Sequence, residues 1–419
     1  MQRSALCGSC HTVLTPKIPR VLREHGVDLA GLTQAHEQST YLEWLDSDYS
    51  DEKPNALAAR SCQSCHMPDQ FDGSRLQFQI ANVEDGDFPW IDHRAPYSDI
   101  TLGERPYRRH TLVGINLFTM AMFEQQPQDM GFQVFDALVP IGTNEMDPLD
   151  RLQLAKREAL DLARRGTVTL SIDGIRRGTD ERGQATLFVD VSVKNRAGHK
   201  FPSGVGFRRA FVQLSVLGAD GRPLWSSGNS NSKGELVDEK NQPLVSETTH
   251  DYRQLQPSYS HTKYANATIR RQDQVQIYES REIDDQGRLT TSFVSLFKDV
   301  KDNRILPAGW TANGPYHDIT VPRALGGEPD PHPIAGGDSL LYMIPTSAIA
   351  GAVVVRAAVY YQSIPPYYLT DRFGALGHEP QADTQMLKTL VDGLRIDHTP
   401  IDHWRLELAA VKRDIPAPR

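Results

Sequence analysis

The 419-residue sequence predicts an α+β multidomain protein. A mainly helical, loop-rich region spans residues 1–166, an antiparallel β-sandwich-like domain spans 167–364, and a helical C-terminal tail, 365–419, packs back on them. Three observations carry this reading. Apolar spacing changes from helical to alternating at Thr167, at least six strand-like runs then follow without helical pattern between them, and helical spacing returns after about Pro365. A chain of this length exceeds one ordinary core.

In the first region, Glu37 to Tyr49 places Tyr41, Leu42, Trp44 and Leu45 on a helical face, suited either to an apolar prosthetic group or to an ordinary core. Residues 70–108 show no period and read as a long irregular connection. His110 to Glu124 is apolar on nearly every side and predicts a buried helix. A second helix is expected from about Asp147 to Arg165, with Leu152, Ala155, Ala159, Leu160 and Ala163 along one side and Gly166 as its stop.

The strand-like runs begin at Val168, Ala185, Arg208, Asp273, Asp338 and Ala352, separated by turns such as Ala219-Asp220-Gly221-Arg222 and Asp284-Asp285-Gln286-Gly287. Such a series without intervening helices predicts a sandwich. In the tail, Asp383 to Leu394 and His403 to Arg413 are the expected helices.

Chemistry concentrates in two pentapeptides, Cys7-Gly8-Ser9-Cys10-His11 and Cys62-Gln63-Ser64-Cys65-His66. Both are C-x-x-C-H, the spacing that lets two thiols reach the two vinyl groups of one porphyrin while the adjacent imidazole turns onto the iron. The competing reading is a four-cysteine zinc ribbon or a redox dithiol. Zinc requires no histidine after each pair, and the two motifs use all four cysteines of the chain. The motifs therefore predict two covalently attached haem c groups on Cys7, Cys10, Cys62 and Cys65, with His11 and His66 as iron ligands.

Each iron then has a second face, and its occupant separates an electron carrier from an enzyme. Met67 follows its own proximal histidine and cannot reach the far face, and Met120 and Met122 read as core residues in the apolar helix. His110 stands at the start of that helix, and His199 lies in Asn195-Arg196-Ala197-Gly198-His199-Lys200-Phe201-Pro202-Ser203-Gly204, where glycine and proline hold a side chain at a fixed angle. These two are the candidate distal metal ligands; the other histidines outside the motifs read as surface.

The haem motifs, together with EQSTYLEWLDSDY, RRHTLVGINLF, NRAGHKFPSG and the QVQIYES and VKDNRILPAGW segments, resemble the periplasmic or extracellular multihaem c-type cytochromes over most of residues 5–365. The resemblance implies low-potential, bis-histidine haems with His110 and His199 as distal ligands. It also implies further haems, upstream or on a partner chain.

The expected function is electron transfer by a dihaem cytochrome. Its partners would be redox proteins, other multihaem cytochromes or further copies of the chain. A dihaem enzyme of the peroxidase or reductase kind, with one open iron position, is the alternative. A third reading, compatible with electron transfer, makes the β domain a docking module within a larger assembly.

The formal charge of −8 argues against nucleic acid and anionic membrane surfaces and favours a basic docking partner. No run of about 18 apolar residues is present to span a bilayer. Haem attachment takes place outside the cytoplasmic membrane, so a periplasmic or extracellular location and an export signal in the precursor are expected; only six residues precede Cys7, so that signal has been removed or lies upstream.

Overall fold

The computed structural model describes residues 3–17, 34–53, 58–71, 74–75, 77–81, 102–131, 149–261, 267–349, 351, 353–374 and 382–416. Its first part holds helix α1 (Ala5–Gly8), the hairpin of β1 (Val13–Pro16) with β2 (Gln34–Gln38), α2 (Thr40–Leu45) and α3 (Cys62–His66). Two short antiparallel pairs follow: β3 (Gln70–Phe71) with β4 (Ser74–Arg75), and β5 (Gln77–Ala81) with β6 (Leu102–Pro106). The expected irregular connection over 70–108 thus contains two hairpins. The expected helix from Glu37 begins only at Thr40, because the preceding residues pair with β1.

Helix α4 (Leu117–Gln125) starts seven residues later than the apolar pattern predicts. The backbone of 109–113 is drawn instead to the second motif: Arg109 N–H donates to Pro68 O at 2.9 Å and Val113 N–H to His66 O at 2.8 Å. The Asn116 side chain then caps the helix by accepting from Thr119 N–H. Helix α5 (Leu149–Leu162) ends in a π turn, Ala163–Thr167, that runs directly into the first long strand.

That strand is β7 (Val168–Thr179), followed by β8 (Ala185–Asn195), β9 (Arg209–Leu217), β10 (Pro223–Ser227), β11 (Asn229–Ser230), β12 (Leu236–Val237), β13 (Ile277–Ile283), β14 (Leu289–Thr290) and β15 (Lys298–Asp302). A short helix α6 (His317–Thr320) precedes β16 (Gly337–Pro345) and β17 (Val353–Gln362). The chain closes with α7 (Pro366–Gly374), α8 (Ala382–Gly393) and β18 (Leu406–Ile415). One antiparallel sheet runs β14-β13-β9-β17-β18, with β10 on β9 and β15 on β13; a second runs β16-β8-β7.

Alternate residues of these runs reach one core, and several of the strands are buried on both faces. In β8, Leu187, Val189, Val191 and Val193 are completely buried and join a core that also takes Ala210, Val212, Leu214 and Val216 from β9 and Val355, Ala357 and Val359 from β17. Phe188, Leu341 and Met343 form a separate cluster with Arg176 over the Phe188 ring. The same main core includes Leu117, Phe118 and Met122 of α4, Ala159 of α5, and Leu390, Trp404 and Leu406 of the tail. One apolar core therefore crosses the positions 166 and 364 at which the sequence pattern changes.

The tail corrects one expectation. Residues 406–415 are a strand, not part of a helix from His403 to Arg413, and pair with β17 from Tyr361↔Leu406 to Val353↔Ile415. The run Leu-Glu-Leu-Ala-Ala-Val-Lys-Arg is rich in helix formers. A free sheet edge and the burial of Leu406 and Leu408 outweigh that local preference. The expected helix at Asp383–Leu394 is α8, and its end is tied to α4 where Gln126 Nε2 donates to Leu390 O at 2.8 Å.

Candidate haem-attachment site

The two C-x-x-C-H segments sit side by side. Cys7 is in α1, and the turn beyond it is closed by His11 N–H donating to Cys7 O at 2.9 Å. Cys62 opens α3, whose N-terminus is capped by Ser61 Oγ accepting from Ser64 N–H. Across the gap, Cys62 N–H donates to Ser4 Oγ at 3.1 Å and Gln63 Nε2 to Arg3 O at 3.0 Å. Burial pushes the Cys62 thiol up to about 11, and the neighbouring Cys7 thiol adds to the effect. Cys10 and Cys65 are exposed. Among the described residues, no three His, Cys, Asp or Glu side chains converge as a metal-binding group.

Helix α2 joins both motifs to the β domain. Tyr41 N–H donates to His11 O at 3.2 Å, and its ring lies on Gly8, where an added Cβ would come within 2.5 Å of the ring. Only glycine fits there. Tyr41 and Trp44 stack at 5.8 Å, and Trp44 presses against Gly198, where an added Cβ would meet its ring at 2.9 Å. Trp44 Nε1 donates to Arg60 O just before the second motif. Aromatic residues of one helix thus contact the first motif and the β8–β9 loop together.

That loop brings His199 to His66. The ring centroids lie 6.4 Å apart and the planes are within 19° of parallel. Each imidazole has its Nδ1 engaged by a backbone carbonyl, His66 with Val113 O at 2.7 Å and His199 with Lys200 O at 2.9 Å. Donation from Nδ1–H fixes the tautomer and leaves Nε2 as the electron-pair donor, as a backbone carbonyl does for many metal-binding histidines. The two imidazoles are therefore neighbours, each with an Nε2 that its own backbone contact leaves unused. Burial lowers the His199 pKa, the backbone hydrogen bond to Lys200 opposes it, and His66 lowers it further.

The other predicted ligands are placed differently. His11 is exposed, and its Nδ1 meets Gln38 Oε1 at 3.2 Å. His110 lies in an exposed turn rather than at a helix start, seven residues before α4. Its neighbour Arg109 pairs with Glu158 of α5. Among the described residues, no second imidazole pairs with His11 or His110 as His199 does with His66. Met122 is buried in the main core and Met120 packs against it, as expected of gap-filling methionines.

No protein-family model matches the chain, and no curated protein matches it. Among solved structures it is similar to the crystal structure of a penta-haem cytochrome c552 from Thermochromatium tepidum, at 14% sequence identity and a TM-score of 0.41. The alignment covers 99% of this chain and 56% of that chain, so the chain spans about half the length of the structure it matches.

Sequence reasoning missed the residues that hold the His199 loop in place. Glu43 of α2 is fully buried; its Oε2 accepts from Lys200 N–H at 3.0 Å, and its Oε1 accepts from Ser39 Oγ at 2.9 Å and lies 3.4 Å from Arg304 Nη2. Asp302 binds Lys200 Nζ at 2.7 Å and Arg304 Nη2 at 2.8 Å. The only local signal was an acid placed between Leu42 and Trp44 on an otherwise apolar stretch. No helix among the described residues is long and apolar enough to cross a membrane.

Proposed function

We propose that the chain is an electron-transferring c-type cytochrome with two covalently attached haems, the second held between His66 and His199. The observation that carries this reading is the neighbouring, near-parallel imidazole pair with centroids 6.4 Å apart, each Nδ1–H donating to a backbone carbonyl, one of them in a C-x-x-C-H helix. When bound, haem supplies a reversible one-electron couple, and two imidazole ligands leave no open coordination position and favour a low potential. The protein's own part is to fix the imidazoles and to shield the pocket. Val113 O and Lys200 O orient the two rings, Trp44 and Gly198 set the height of the loop, and the abutting α1 and α3 make the two attachment sites neighbours.

Cys7, Cys10 and His11 would hold the first haem in the same way, with His110 as a further candidate ligand and redox proteins or further copies of the chain as partners. Haem attachment places this function in the periplasm or outside the cell.

The test is spectroscopic. Holoprotein assayed as its pyridine haemochrome should give two haems per chain, and the ferric form should be low-spin without a methionine–iron band. A chain that holds zinc on its cysteines and no haem overturns the reading. A high-spin component that binds peroxide and turns it over supports the dihaem enzyme instead.

A further inference from the structure

The geometry points to Glu43 as the positioning residue that holds His199 over the second iron, an inference that rests on the reading of His199 as a ligand. The two imidazoles belong to parts of the chain 133 positions apart, so their facing distance depends on how the β8–β9 loop is registered against the motif region. On its own side the loop is well tied. Asn195 Nδ2 donates to His199 O at 2.8 Å and Ile305 O at 3.0 Å, and Phe201 and Ile305 exchange backbone hydrogen bonds.

Toward the motifs, the backbone beside His199 meets Glu43 Oε2, which accepts from Lys200 N–H, and Thr40 Oγ1 reaches Ser203 Oγ at 3.0 Å further along. Glu43 is itself held on its other oxygen by Ser39 and Arg304, so it cannot swing away from the loop. Lys200 also supplies the carbonyl that orients the His199 ring. One carboxylate therefore grips the residue that both follows the ligand and aims it. Two buried carboxylates, Glu43 and Asp302, here face two cations, Lys200 and Arg304.

Glu43 touches neither the iron-facing nitrogen nor any reacting atom. Its effect should be felt as the firmness with which His199 stays bound. Loss of an outer-shell partner of a metal-binding histidine typically costs about 10–100-fold in metal affinity or activity.

The experiment compares Glu43→Ala, Glu43→Gln and His199→Ala holoproteins, each checked for two haems per chain and for native far-ultraviolet circular dichroism. Ferrous protein is mixed with carbon monoxide and ferric protein with cyanide. In Glu43→Ala, one of the two haems should bind carbon monoxide about tenfold faster or more than in the parent, with a matching high-spin fraction in the ferric spectrum. Glu43→Gln keeps an oxygen that accepts from Lys200 N–H and should restore the parent rate. A side chain that merely stabilised the fold would alter the unfolding midpoint without opening one haem selectively or being rescued by glutamine.

If Glu43→Ala binds carbon monoxide as the parent does while His199→Ala opens one haem, the positioning role is overturned and the ligand assignment stands. If His199→Ala leaves both haems low-spin and closed, the ligand assignment falls and the proposal falls with it. Should Glu43→Ala fail to assemble with two haems, Glu43→Asp, which shortens the reach by one methylene, is judged by the same two criteria.

Discussion

The two C-x-x-C-H sites have the same local chemistry and different surroundings. His66 is partly buried, is aimed by a backbone carbonyl, and faces an imidazole delivered by the β domain. His11 is exposed and is aimed by the side-chain amide of Gln38 on an adjacent hairpin. On the proposed reading, the pentapeptide specifies attachment in both places. The rest of the chain decides how firmly an axial ligand is aimed and what lies opposite it, so the two haems should differ in spectrum, ligand exchange and sensitivity to mutation.

The strongest way to break this comparison is to remove the imidazole that distinguishes the sites. His199→Ala should convert one haem per chain from a closed low-spin form to one that binds carbon monoxide, leaving the other unchanged in a carbon monoxide titration. His110→Ala should leave the His66 site unaltered. A His110→Ala protein that opened the same haem as His199→Ala would show that the sites had been paired wrongly.

Next in size is the ionic frame behind the second site. Asp302→Ala leaves Lys200 and Arg304 without their shared carboxylate, and breaking a buried pair of this kind costs about 3–5 kcal/mol. Denaturant unfolding of the holoprotein should show that loss. Burial raises the Asp302 pKa, but Arg304 and Lys200 outweigh it and hold the carboxyl well below the usual range. The native state thus binds this proton more weakly than the unfolded chain, and the stabilisation is present above a pH of about 4 and lost as pH falls below it. Asp302→Asn should flatten the acid limb of the stability profile.

Glu282 has the opposite sign. Burial first, and Asp299 second, push its carboxyl up to about 7, so the native state holds the proton more tightly than the unfolded chain. Stability from this group is greatest at low pH and falls as pH rises from about 4.3 through neutrality. Glu282→Gln should remove that decline in urea unfolding measured between pH 5 and 8.

What was legible in the sequence follows the range of the interactions involved. The motif cysteines and histidines stand out because each motif is five contiguous residues, and the attachment proposed for them follows from that spacing. Strands β7, β8 and β9 are legible because apolar residues recur at every second position over most of each run, although β9 is buried on both faces. The turn around His199 declares its stiffness through glycine and proline, and the hydrogen bonds of Asn195 are its local cause. Glu43 does not declare itself, because its partner Lys200 is 157 residues away and an acid in a helix is ordinarily solvated. Strand β18 was misread for the same reason: its partner β17, not its composition, determines its conformation.

The smallest predicted effect is also the most selective. Val113 and Lys200 aim their imidazoles through main-chain carbonyls, which no side-chain substitution removes, whereas Gln38 aims His11 through a side chain that alanine deletes. Gln38→Ala should cost the fold no more than about 1 kcal/mol, since the hydrogen bond is exposed and water replaces the amide. Yet it removes the group that makes the His11 ring a stronger electron donor, so the iron bound there should become easier to reduce. In a potentiometric titration of the two haems, one step should move to higher potential while the other holds its place. Movement of both steps together would mean that the two sites share one hydrogen-bonded frame, and that the exposure of His11 does not isolate it from the β domain.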